Sequence, residues 1–233
     1  MNAVAQAVSL TVGSSIGKKV LVAITGAVLV LFVLGHMIGN LLVFAGRDAI
    51  NEYGHFLQTV GHGMGVWVAR IGLLTCTVVH VVLTIMLTRE NRAARMERYG
   101  VQATLKASKA SRTMILSGLT LLAFIVYHLL HFTVRVSNDY GTYKTTLHGD
   151  TVHDVYRMVI AGFSWWPASV FYLVAMGMLC SHLSHGVSSM FQTLGLATER
   201  TWPFLKYLGV GYALLIFVGN AAIVAAVWFK WVQ

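Results

Sequence analysis

The chain has 233 residues, of which 57% are hydrophobic and only 11% charged, against roughly a quarter charged in soluble domains. An ordinary soluble fold is excluded, and five spans of about 20 residues with their connections leave no length for a separate catalytic domain. The net charge of +9 is not a nucleic-acid footprint, because the basic residues stand at the ends of apolar runs and not in an aromatic-laced patch.

Apolar runs near 20–45, 66–88, 113–134, 167–190 and 204–229 are each long enough to cross a bilayer as a helix. They lack the period-2 alternation of a barrel, and open strands would leave backbone groups unpaired in hydrocarbon. The first run carries His36 and Asn40 and no small-residue cleavage site before its polar end, so it reads as a retained span and not a signal peptide. The second carries Cys76 and His80 and leads into a basic loop with Arg89, Arg92, Arg95, Arg98, Lys106, Lys109 and Arg112. The third carries His128 and His131. A long polar connection at 135–166 follows, ending in Trp165 and Trp166 as an interfacial segment would. The fourth run opens at Pro167 and holds Cys180, His182 and His185; the fifth opens at Pro203. Proline in a first helical turn gives up no intrahelical hydrogen bond, so both mark boundaries.

Lys18, Lys19, Arg200 and Lys206 share a face with the basic loop, and the positive-inside bias makes that face cytoplasmic. The other face mixes Arg47, Arg70, Arg135, Lys144, Arg157 and Lys230 with Asp48, Glu52, Asp139, Asp150 and Asp154. The prediction is an all-α bundle of five transmembrane helices forming one domain over 1–233, multi-pass in the inner (cytoplasmic) membrane, N-terminus inside and C-terminus outside. Both cysteines lie in apolar runs and read as small buried side chains, with no disulfide framework and no CxxC metal pair.

Six of the ten histidines fall inside the spans. Ionisable side chains in a membrane are costly and usually face the bundle interior in a functional role. One such histidine alone is as well explained by a hydrogen bond to a neighbouring helix; four consecutive helices each carrying one call for another account. His36 stands 17 residues after Lys19, and His128 stands 16 after Arg112, which puts both about 25 Å from the inner face. His80 stands nine residues before Arg89, and His182 ten before Gln192, about 14 Å from that face. Two imidazole pairs at two depths suit two stacked bis-histidine haems. His131 and His185 are displaced about one turn from these layers. They read as helix-to-helix hydrogen bonders, or as contacts to a haem propionate or a quinone.

Gly35, Gly39 and Gly186 lie within four positions of His36 or His182 and offer room for a porphyrin. A zinc or proton transporter would be expected to add carboxylates within the spans, and these are essentially missing. No CxxCH occurs, so the haems would be noncovalent, b-type.

Across most of its length the chain resembles the cytochrome b subunit of the succinate dehydrogenase/fumarate reductase family, in its bacterial form with one five-helix, two-haem anchor. The resemblance is carried by SSIGKK at 14–19, TG at 25–26, LGHMIGNLLVFAG at 34–46, NEYGHFLQ at 51–58, ENRAAR at 90–95, SRTM at 111–114, HLLHF at 128–132 and HLSHG with FQTLGL at 182–196. It implies a membrane anchor for a flavoprotein and an iron–sulfur subunit on the cytoplasmic face, exchanging electrons with a membrane quinone, usually menaquinone. The chain itself would not touch succinate. The family's ligand positions fall on His36 and His128 for the distal, outer haem and on His80 and His182 for the proximal, inner one. The resemblance makes these four the expected iron ligands. Lys19 and Arg112 become candidates for inner propionate contacts, and Arg70, His55 and His62 for an outer quinone or rim site. Some members have a glutamate near the start of the second helix for proton exchange with quinone; WVARIGLL at 67–74 places Arg70 there instead. Higher oligomers of the complex are compatible with this scheme. Two rivals stand beside it: a two-haem anchor for another quinone-linked dehydrogenase, of hydrogenase or formate dehydrogenase type, and a histidine-lined transporter.

Overall fold

The computed structural model describes residues 13–94 and 109–233. Arg95, Arg98 and Lys106 of the basic loop lie outside the described residues, and so does the Lys109 side chain. Five helices are long and apolar enough to cross a membrane, and the chain is an all-α, multi-pass membrane bundle. They are α1 (Ser15–Leu41, prolonged by a 3-10 turn Leu42–Ala45), α3 (Met64–Ala93), α4 (Met114–His128, prolonged by a π turn Leu129–Val134), α6 (Trp166–Thr193) and α7 (Trp202–Trp228). Ser14 caps α1 by accepting the Gly17 N–H at 2.9 Å. Pro167 and Pro203 sit in the first turns of α6 and α7.

Helix α1 rests on α3, α6 and α7, while α4 packs mainly on α6 and touches α3 only briefly. The four histidine-bearing helices therefore make a ring that is loose on its α3–α4 side. Helix α7 carries no histidine and closes the ring from behind. Tight contact there depends on missing side chains: a Cβ on Gly209 would stand 2.8 Å from the Ser184 carbonyl of α6, and one on Gly219 would overlap Met37 Sδ of α1.

The connections of the outer face hold more structure than the sequence predicts. Residues Arg47–Thr59 form an amphipathic helix, α2, and Val155–Ser164 form another, α5. Between Lys144 and His153 the polar connection folds into an antiparallel hairpin of β1 (Lys144–Leu147) and β2 (Asp150–His153), with Leu147 opposite Asp150. Its two-residue loop, His148–Gly149, has φ of 52° and 94°, the left-handed pair that a tight hairpin requires and that glycine adopts without strain. Leu147 and Val152 are buried, and both strands rest on α2.

A buried polar knot ties the outer pieces together. Asp154, 1% exposed, accepts from Arg47 at 2.8 Å, from Asn51 Nδ2 at 3.1 Å and from the Arg157 N–H at 3.0 Å, which makes it the N-cap of α5. Asn51, fully buried, accepts the Tyr156 N–H on its own side-chain oxygen at 3.0 Å. Two orphan donors of α5 are thus satisfied, one from its own cap and one from α2. At the opposite end of the bundle Lys18, not Lys19, is the buried cation, and it pairs with Glu90 of α3.

Candidate cofactor site between the histidine helices

The structure brings His36 and His128 together across the bundle, with ring centroids 5.7 Å apart and planes nearly perpendicular. A metal–imidazole bond of about 2 Å puts two rings on opposite sides of one iron about 6 Å apart by centroid, so the spacing suits a shared metal. His36 stacks on Phe32. His128 sits among Phe124, Phe132 and Tyr172, and its Nδ1 meets the Tyr172 hydroxyl at 3.1 Å.

His80 of α3 and His182 of α6 are each held by a neighbouring helix, His80 by α1 and His182 by α4. Each imidazole is held through Nδ1. His80 Nδ1 stands 3.2 Å from the Val22 carbonyl and 3.2 Å from Thr25 Oγ1. A carbonyl only accepts, so Nδ1 carries the proton and Nε2 presents a lone pair. His182 Nδ1 stands 3.1 Å from Ser117 Oγ. That hydroxyl spends its own hydrogen on the Met114 carbonyl at 3.1 Å, which leaves it an acceptor for the ring N–H and again frees Nε2. Among the described residues no hydrogen bond reaches Nε2 of His36, His80, His128 or His182. Thr25 and His36 lie on α1, and Ser117 and His128 on α4, each 11 residues apart, so the two tiers are separated by about 16 Å along the helices.

The second histidine of each doublet is used differently. His131, within the π turn, meets Tyr172 through Nδ1 at 3.2 Å and Tyr140 through Nε2 at 3.5 Å, so both nitrogens are engaged by hydroxyls. His185 is half-buried one turn beyond His182.

The remaining candidates lie away from the two tiers or at their edge. Lys19 and Arg112 are exposed and, among the described residues, make no ion pair. His62 is exposed in the turn before α3 with φ of 56°. His55 is also exposed and borders an outer cavity of about 360 Å³ shared with Glu52, His148 and Asp150. Arg70 is exposed, with its guanidinium 5.0 Å from the Trp67 ring centroid. It acts on Arg135, whose guanidinium is shifted downward by burial first and by the Arg70 charge second.

The glycines near the histidines differ in what they face. Gly39 accommodates the Tyr53 ring of α2, Gly186 comes no nearer than 4.0 Å to Met114, and Gly35 has open space at its Cβ position. The glycines that face imidazoles are Gly26, where a Cβ would stand 3.3 Å from His80 Cε1, and Gly118, where it would stand 3.4 Å from His182 Cε1. Thr25, Ser117 and Tyr172 carry no hydropathy signal. The first two are marked only by a hydroxyl–glycine pair that recurs at a fixed distance before a histidine.

Among the described residues no group of three or more histidine, cysteine or carboxylate side chains gathers around one point. Two imidazoles without a third protein donor are too few for a tetrahedral zinc site. They suit a metal that arrives with its own equatorial ligands, which is what a porphyrin provides. Compared with models of known families, with curated proteins and with solved structures, the chain matches none.

Proposed function

We propose that this chain is the two-haem cytochrome b anchor of a succinate dehydrogenase/fumarate reductase complex of the inner membrane, relaying electrons between an iron–sulfur subunit and membrane quinone, usually menaquinone in that family. The observation that supports the haem reading is the pairing of His36 with His128, with three of the four candidate ligand histidines held through Nδ1. The motifs shared with the family carry the rest. His36 and His128 would hold the outer haem and His80 and His182 the inner one. Bound haem b supplies one-electron transfer, and two axial imidazoles leave no open iron position for oxygen activation. The chain's own residues hold three of the four rings through Nδ1 and set aromatic side chains around the outer pair. A flavoprotein and the iron–sulfur subunit would dock at the inner face, where Lys18 and Glu90 lock α1 to α3.

The test is reduced-minus-oxidised spectroscopy and haem extraction on the purified protein with its copurifying subunits, for wild type and for His36→Ala, His80→Ala, His128→Ala and His182→Ala. Two b-type haems are expected in the wild type. One is lost in each ligand variant, the same one within each pair, while His131→Ala and His185→Ala retain both. Absence of haem from the wild type refutes the reading. A copurifying nickel or molybdenum subunit in place of a flavoprotein would move the chain to another quinone-linked dehydrogenase.

A further inference from the structure

Helices α1 and α4 carry the same pattern, a hydroxyl residue and a glycine followed after nine residues by a histidine: Thr25–Gly26 before His36, and Ser117–Gly118 before His128. Eleven residues are close to three helical turns, so on each helix the hydroxyl and the histidine share a face. The histidine belongs to the outer tier. The hydroxyl serves the inner tier, and it does so on a neighbouring helix: Thr25 of α1 meets His80 of α3, and Ser117 of α4 meets His182 of α6. Each glycine, next along the chain, leaves room for the Cε1 edge of the same imidazole. Helix pairs α1–α3 and α4–α6 therefore repeat one device.

Both hydroxyls are polarised alike. Thr25 Oγ1 lies 2.8 Å from the Leu21 carbonyl, and Ser117 Oγ lies 3.1 Å from that of Met114. A hydroxyl that donates to its own helix offers only lone pairs outward, so Ser117 receives the His182 Nδ1–H, and Thr25 receives the His80 Nδ1–H together with the Val22 carbonyl, 3.2 Å from the same nitrogen. Both residues are nearly inaccessible, Ser117 at 1% and Thr25 at 8% exposed. Water is therefore poorly placed to substitute for either.

We propose that Thr25 and Ser117 are a matched pair of positioning residues for the inner metal centre, setting the tautomer and ring plane of His80 and His182 from opposite sides of the bundle. This rests on the haem reading above. A hydrogen-bond acceptor on the far nitrogen makes an imidazole ligand more basic, so its removal weakens the ligand and favours the reduced iron.

The experiment uses the purified haem-loaded protein, with electron paramagnetic resonance of the oxidised centres and a redox titration, for Thr25→Val, Ser117→Ala and the conservative pair Thr25→Ser and Ser117→Thr. Thr25→Val and Ser117→Ala should both alter the low-spin signal and raise the midpoint of the same one of the two centres. Ser117→Ala should also weaken its haem binding by about 10- to 100-fold, and Thr25→Val by less, because the Val22 carbonyl still accepts from His80 Nδ1. The other centre is unchanged and reports that the bundle is intact. The conservative variants should keep wild-type signals. Two haems present with neither variant shifting a signal, the two variants shifting different centres, or equal shifts in the conservative variants would each overturn the proposal. A wild type without haem would remove the reading beneath it, an outcome separable from the others by haem extraction alone.

Discussion

Replacing Asp154 with alanine separates the parts of the outer knot, and their magnitudes follow from its geometry. Loss of the cap oxygen that receives the Arg157 N–H costs about 0.5–2 kcal/mol. The Asn51 amide, fully buried, loses an acceptor and cannot reach water, which costs about 1–3 kcal/mol. The ion pair contributes least, because the Arg47 side chain is 52% exposed and rehydrates; about 0–1 kcal/mol is expected for such a partner. Asp154→Ala should therefore destabilise the outer cap by about 3 kcal/mol, which raises the open population about 100-fold. Asp154→Asn keeps the oxygen that serves the cap and Asn51 and turns an NH2 toward Arg47, giving up that ion pair and its hydrogen bond, so it should cost about 1 kcal/mol. Hydrogen exchange followed by mass spectrometry, on protein in lipid nanodiscs, reads both through the amides of Tyr156 and Arg157 and through α2. Equal acceleration in the two variants would show that the charge, and not the caps, holds the knot.

Helix α7 should be sensitive at one glycine and tolerant two residues away. Gly209→Ala puts a Cβ 2.8 Å from the Ser184 carbonyl and should cost about 1–3 kcal/mol through forced separation of α6 and α7. Gly211→Ala, with open space at its Cβ position, should leave thermal unfolding in detergent unchanged or slightly later; a matching loss in both would refute the contact. The hairpin should weaken in acid. Burial and then the Arg135 charge push the His153 imidazole below its ordinary value, its Nδ1 donates to the Tyr143 carbonyl at 3.0 Å, and its Nε2 is buried without a partner. A depressed histidine binds fewer protons folded than unfolded. Its contribution is thus complete above about 6.5 and is lost as pH falls below that toward the folded value. Exchange protection in 144–153, corrected for intrinsic rates, should drop across this window in wild type and not in His153→Gln.

The spans were legible because hydrocarbon selects long apolar helices, and the helix starts at Ser15 and Trp166 differ from the apolar runs by less than two turns of polar or interfacial chain. The proximity of His36 to His128 could be reached by counting rise per residue from flanking charges. What counting cannot supply is rotation. Whether Lys18 or Lys19 turns inward, whether Gly26 or Gly35 meets a ring, and which hydroxyl reaches Nδ1 all depend on the azimuth of two helices at once. One residue of offset is about 100°. The outer face was less legible for another reason. The hairpin lacks an apolar alternation, since Lys144–Leu147 alternates only at its last residue, and it is held in place by a two-residue turn and by packing on α2. The π turn at Leu129–Val134 is likewise invisible to a 3.6-residue period, although such turns often sit at functional sites.

The outer knot also places an order on biogenesis. Arg47 and Asn51 arrive on their side of the membrane once α1 has crossed; Asp154 arrives only after α3 and α4 have crossed as well. Until then α2 has no acceptor for its buried amide and no cap to give. A chain in which either intervening helix failed to insert would leave Asp154 on the wrong side of the bilayer, and the knot could not close. Closure of the knot is thus open only to a chain whose α3 and α4 are both threaded, and it is available before α6 and α7 have entered.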